Sequence, residues 1–214
     1  MTKAEIAHGS SPKKMPDLKL NFKNPHDVQL YLNGIRYKSD PGTISPGEVM
    51  RRGEANCFEG SLFAAAALKS FGHRPLIVDM VAENDDDHVI ALFKKNGCYG
   101  AIAKSNTTLL RFREPVYRTL RELVMSYFDF YFNTNGQKTL RSYSNPVDLT
   151  KFDGNNWMTT EENLDFIGDY LYTVKHHVIL AATQKRNLSR ADGELVDLCF
   201  SGANQEGLYK PVGR

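Results

Sequence analysis

The chain has 214 residues, 41% hydrophobic and 24% charged, an ordinary globular balance that excludes wholesale disorder. Lys and Arg total 27 against 25 Asp and Glu, so the net charge of +2 leaves no large basic excess and no nucleic-acid partner is expected. The longest apolar run, Leu62 to Leu68, falls far short of the roughly 20 residues of a membrane-spanning helix, so no membrane partner is expected either.

Taken in chain order, residues 1–23 are polar and lysine-rich and read as a basic N-terminal arm. Asn24-Pro25 opens a short helix, a capping side chain followed by a proline at the first helical position, and Gly34 ends it. Ser45-Pro46-Gly47-Glu48 is a second helix start, kept brief by Gly53. Asn56-Cys57-Phe58-Glu59 has the spacing of a capping box. A dense apolar stretch follows it and Gly72 stops it, which predicts a buried helix over 57–71.

The pattern then turns to strands. An apolar run at 75–81, an acidic connection at 83–87 and a strand at 88–93 lead into Asn96-Gly97, the strongest short hairpin signal, with a return strand at 98–103. Three-to-four spacing of apolar residues predicts a helix over 115–132. Residues 133–158 read as irregular, and Thr159-Thr160-Glu161-Glu162 opens a long helix to about residue 184. The organisation expected is one α+β domain over 24–185, with a helical extension over 115–185, and an irregular C-terminal arm over 186–214.

Cysteines stand at 57, 98 and 199, widely spaced and without a Cys-x-x-Cys, so neither a disulfide framework nor a zinc site is expected. With no apolar secretory core at the start, the expected compartment is the reducing cytoplasm. One cysteine is placed for chemistry. Cys57 falls in the first turn of the buried helix, where free backbone N–H groups and the positive end of the helix dipole stabilise a thiolate and could hold an oxyanion. His88 opens a strand some thirty residues on, and a cysteine at a helix start facing a strand histidine is the arrangement of nucleophilic acyl chemistry.

The segment from Arg52 to Ser61, the helix ending at Phe71-Gly72, the apolar strand and His88-Val-Ile-Ala-Leu-Phe together resemble the core of the transglutaminase-like superfamily, over about residues 45–106. That resemblance implies a papain-like α+β fold, with the Cys-bearing helix packed on an antiparallel sheet and an Asp or Asn following the His on the next strand. Its members include transglutaminases, proteases, amidases and non-catalytic relatives. The third position departs from the pattern, because Ala103 stands near where the acid would fall. If Asn96-Gly97 form a two-residue turn, paired residues sum to 193 and His88 faces Ser105. A one-residue bulge brings Asn106 there instead. Asn106 ranks above Ser105, because its amide oxygen can accept an imidazole N–H. Without either, the site is a dyad.

The expected function is thus a cysteine-dependent acyl-transfer enzyme, a hydrolase or transamidase of peptide or amide bonds. Cys57 is the nucleophile, His88 the base, Asn106 the third member and Asn56 an oxyanion donor. No cofactor and no metal are required. The alternative is a non-catalytic binding module on the same fold. Other features have plainer readings: Asp85, Asp86 and Asp87 as a solvated turn, and His176-His177 as helix neighbours that point about 100° apart and rarely share an ion.

Overall fold

The computed structural model describes residues 22–212, and the expectations for residues 1–21 lie outside them. Three helices come first. The helix α1 (Pro25–Gly34) is capped by Asn24, whose side chain accepts from the Asp27 N–H. The helix α2 (Pro46–Arg52) is capped by Ser45 and ends on Gly53 at φ 65°, the left-handed conformation that glycine adopts freely. The helix α3 (Cys57–Ser70) has the full capping box, and every residue from Glu59 to Leu68 is buried. Two short parallel strands, β1 (Arg36–Tyr37) and β2 (Glu54–Ala55), tie the ends of α1 and α2 together.

The hairpin at the centre follows the expected register. The strands β3 (Leu76–Ala82), β4 (His88–Lys95) and β5 (Cys98–Ile102) form an antiparallel meander. Lys95 pairs with Cys98 and Ala91 with Ile102, so Asn96-Gly97 make the two-residue turn, both at positive φ. Beyond the meander come β6 (Arg113–Tyr117), α4 (Leu120–Met125), β7 (Leu140–Ser144), β8 (Val147–Asp148), α5 (Asp165–Thr173), β9 (His176–Val178), α6 (Ala182–Arg186) and α7 (Gly193–Phe200). The main sheet has seven strands and runs β6-β5-β4-β3-β7-β9, with β8 also on β3 and every pairing antiparallel. Here β8 takes the start of β3 and β7 its end, so one edge is shared by two short strands.

The second half corrects several expectations. Residues 115–132 hold a strand end, a two-turn helix and a single 3-10 turn, because Thr119 caps a new helix and Arg113–Tyr117 complete the sheet edge beside β5. The span 133–158 contains β7 and β8. The long helix over 160–184 is broken into α5, β9 and α6, since Thr173 ends α5 and His176–Val178 pair with β7. The extension over 115–185 is therefore mixed, and α7 stands inside the C-terminal arm.

Two cores sandwich the sheet. Strand residues alternate between them. Ile77, Val89, Ala91 and Phe93 join α1, α2, α3 and the Trp157 region. Val78, Met80, Ile90 and Leu92 join α4, Tyr127 and Tyr131 on the other face. On the first face the backbone of α3 approaches closely at Gly60, where a Cβ would stand 2.2 Å from that of Lys104. The Lys104 ammonium then reaches Leu32 O at 2.8 Å and Ile35 O at 2.6 Å, closing the end of α1.

Candidate active site

The N-terminus of α3 is fixed by a buried network. Asn56 Oδ1 accepts from the Glu59 N–H, and Glu59 Oε2 accepts from the Asn56 N–H, both at 2.9 Å. The other Glu59 oxygen takes the Ile44 N–H and pairs with the Lys38 ammonium at 3.0 Å, both side chains being almost wholly buried. Lys38 also donates to Asp40 O and Gly42 O, so the loop before α2 is bound to the same carboxylate. Cys57 follows directly on this rigid cap. Because the Asn56 oxygen is used in it, any donation from Asn56 to an oxyanion falls to the amide nitrogen.

Cys57 lies in the wall of a cleft of about 1000 Å³, which Asn56, Asp79 and Asp87 also line. It borders as well a smaller cavity of about 60 Å³, shared with His88, Ser105, Asn106 and Tyr131. The structure thus brings Cys57, His88, Ser105 and Asn106 to one cavity, and leaves Asn56 in the large cleft. Their bonds, however, run to other partners. The Cys57 thiol donates to Asp87 O at 3.7 Å, and the Tyr37 hydroxyl sits against both the backbone N–H and the sulfur of Cys57. Burial raises the thiol pKa to about 11, with Asp86 and Asp79 adding to it; the N–H groups of Val89 and Phe58 oppose this. The helix start alone does not make a thiolate here.

His88 belongs to the second face of the sheet. Its ring meets Tyr131 edge-on at 6.4 Å, and its Nε2 lies 2.9 Å from Leu110 O. A carbonyl only accepts, so Nε2 carries the proton and Nδ1 is left with the lone pair. Burial holds the imidazole neutral, lowering its pKa to about 4. Ser105 Oγ takes the Thr107 N–H. The Asn106 amide is bound to the backbone of Asn204 and Gly207. At Ala103, near where the resemblance would put an acid, the Gln29 amide grips both backbone groups, accepting from Ala103 N at 3.0 Å and donating to Ala103 O at 2.8 Å.

The acidic connection is more than a solvated turn. Asp87 Oδ1 takes the Ala82 N–H at 2.7 Å, and Asp85 accepts from the Thr139 hydroxyl at 2.7 Å. Burial raises the Asp85 pKa to about 6.

No family model matches the chain. No curated protein matches it in sequence either. What it can do must therefore be read from its own residues.

The sequence missed one pair. Asp79 is buried in the cleft wall, and its carboxylate lies 3.4 Å from His176 Nε2. Burial, with Asp87 nearby, raises the Asp79 pKa to about 6 against the pull of His176. Ser144 pairs with His176 and its hydroxyl takes the Asp79 N–H, so the three lie in one row across the sheet. His177 points the other way, stacked on Tyr143, as period two requires of strand neighbours. Nothing local marks this pair, because β9 is three residues long and finds its partner far along the chain. Among the described residues no group of three or more His, Cys, Asp or Glu is placed to hold a metal ion, and no helix is long and apolar enough to cross a membrane.

Proposed function

We propose that the protein is a cysteine-dependent acyl-transfer enzyme on a transglutaminase-like fold, hydrolysing or transamidating an amide or peptide bond. The observation that carries this reading is Cys57 itself: a thiol on a capped helix start, in the wall of a large cleft, sharing a second cavity with a neutral histidine. The resting pair is thiol and imidazole, not thiolate and imidazolium. A carbonyl entering at the helix start takes the place of the Tyr37 hydroxyl on the Cys57 N–H, and that N–H then holds the developing oxyanion. The thiol proton passes to His88 Nδ1 as sulfur attacks the carbonyl carbon. His88 returns it to the departing amine. Water or a second amine then takes the acyl group from sulfur.

The second reading, a non-catalytic binding module, draws on the same geometry. The thiol is protonated, and the Asn106 amide is bound away from the His88 ring. An activated ester separates the two. With p-nitrophenyl acetate, the enzyme reading expects a burst of one nitrophenolate per chain and an acetyl group on Cys57, abolished in Cys57→Ala and slowed at least tenfold in His88→Ala. A burst that persists without Cys57, or no acetylation of it, leaves the binding module.

A further inference from the structure

Residues 201–212 leave α7 and run along the Cys57 cleft. They are held near both ends by carboxamides that grip backbone. Asn106 Oδ1 accepts from Asn204 N at 2.8 Å, and its Nδ2 donates to Asn204 O at 2.9 Å and Gly207 O at 3.0 Å. Asn84 Oδ1 accepts from Val212 N at 2.8 Å, and its Nδ2 donates to Val212 O at 3.0 Å. Each asparagine takes both backbone groups of one residue without reading its side chain, Asn106 at Asn204, the start of a 3-10 turn over Gln205–Gly207, and Asn84 at Val212.

Between the two clamps, residues 206–210 line the large cleft and residues 207–209 the smaller cavity, with Cys57 in the wall of both. Gly207 lies close on Tyr37, where a Cβ would stand 3.0 Å from the ring. That is the same tyrosine whose hydroxyl meets Cys57. Little apolar burial holds the segment down: Gln205, Glu206, Lys210 and Val212 are exposed. A stretch fixed by a few backbone bonds and little core belongs to the part of a protein that opens locally.

We propose that the trough beside the Cys57 cleft in which residues 204–212 lie is a site for a polypeptide segment, read through its backbone by Asn84 and Asn106, and that residues 204–212 close it to other chains in this structure. The trough's occupant being a substrate rests on the acyl-transfer reading; the closure of the trough by the chain's own segment does not. Tethering gives the internal segment a high effective concentration, so an incoming peptide binds only as the segment lifts.

The test uses the full-length chain and its variants Gly207→Leu and Val212→Pro, labelled with iodoacetamide. Modification of Cys57 is followed by mass, with Cys98 as the internal reference. A leucine at 207 wedges against Tyr37, and a proline at 212 removes the N–H that Asn84 accepts. Each is expected to raise the Cys57 rate about tenfold while Cys98 is unaffected. A capped nonapeptide with the sequence of residues 204–212 is then added to Val212→Pro. It is expected to slow labelling again, and the same peptide N-methylated at the positions of Asn204 and Val212 is expected not to. Val212 is exposed, so this variant stands even where the wedge at 207 prevents folding. Unchanged Cys57 labelling in a variant whose segment exchanges amide hydrogens freely overturns the closure. Equal protection by both peptides, or by neither, overturns the backbone-reading groove. None of these readouts needs turnover, so an absent ester burst and an absent closure are separate results.

Discussion

The two faces of the sheet differ in what they hold and in how they hold it. The face under α3 packs a run of alanines and aliphatic groups with aromatics that carry no hydroxyl, Phe63, Phe93, Phe152 and Trp157, and Tyr31 stacks on Phe63 at 5.1 Å. The opposite face carries large aromatics whose hydroxyls reach backbone: Tyr127 to Arg111 O at 2.8 Å, and Tyr131 to Asp86 O at 2.7 Å. Cys57 belongs to the first layer and His88 to the second. They share a cavity only because β4 begins where α3 begins, at the same end of the sheet. A cysteine and a histidine whose side chains belong to opposite faces of the sheet can thus meet at one cavity, because α3 packs on β4, with Ser61 Oγ donating to Val89 O at 2.6 Å, and Cys57 and His88 open those two elements.

The sharpest way to break that contrast is to empty the first layer. Phe63 is fully buried, and Phe63→Ala is expected to cost about 3–5 kcal/mol in chemical denaturation. A cost under about 1 kcal/mol would mean that α3 is not the keystone of its layer. A smaller effect is expected from titrating the second layer. The folded His88 pKa of about 4 lies below the ordinary 6.5, so the group contributes stability above pH 6.5 and loses it as pH falls towards 4. The loss is about 3 kcal/mol by pH 4. In His88→Phe this component of the pH profile should vanish; a profile identical to that of the parent would place the imidazole in water. The smallest effect is expected from Tyr131→Phe, which removes the hydroxyl donated to Asp86 O. About 1–2 kcal/mol should be lost, with faster hydrogen exchange in the acidic connection at 83–87. Unchanged exchange there would show that the carboxylates of Asp85 and Asp87 hold it alone.

What the sequence made legible follows the same division. The first layer is local: the capping box at Asn56 and Glu59, the alanine-rich run and the turn at Asn96-Gly97 each act within a few residues, and α3 and the β4–β5 register follow from them. The outer strands are not local. Here β6, β7 and β9 are short, and their partners are supplied by residues far along the chain. The apolar spacing at 120–131 suited a helix, yet Tyr127 and Tyr131 serve the core from the end of a short helix and the turn after it. Residues 170–178 carried a helical stripe as well, but β9 gains more by pairing with β7 than by prolonging α5. At the site, residue types and their meeting at one cavity were legible. Their hydrogen-bond partners were not, since these depend on Tyr37, Leu110 and the 204–212 segment, which no spacing rule joins to Cys57. The C-terminal arm does carry a local signal: Asp192 followed by Gly193-Glu194-Leu195 is a helix start, and Asp192 caps α7.

Gln29 carries order from α1 to the strand end that leads into the small cavity beside Cys57. The return strand β5 has no β4 partner past Ile102, and its next residue, Ala103, would be free to fray. A side chain from α1 supplies both missing backbone bonds, so a helix acts as the absent neighbour and the sheet is in effect one residue longer than its strands. Shortening that amide to Asn would leave Ala103 unsecured, and the slackness would surface not at α1 but in the lining of the small cavity, where Ser105 and Asn106 follow directly in the chain.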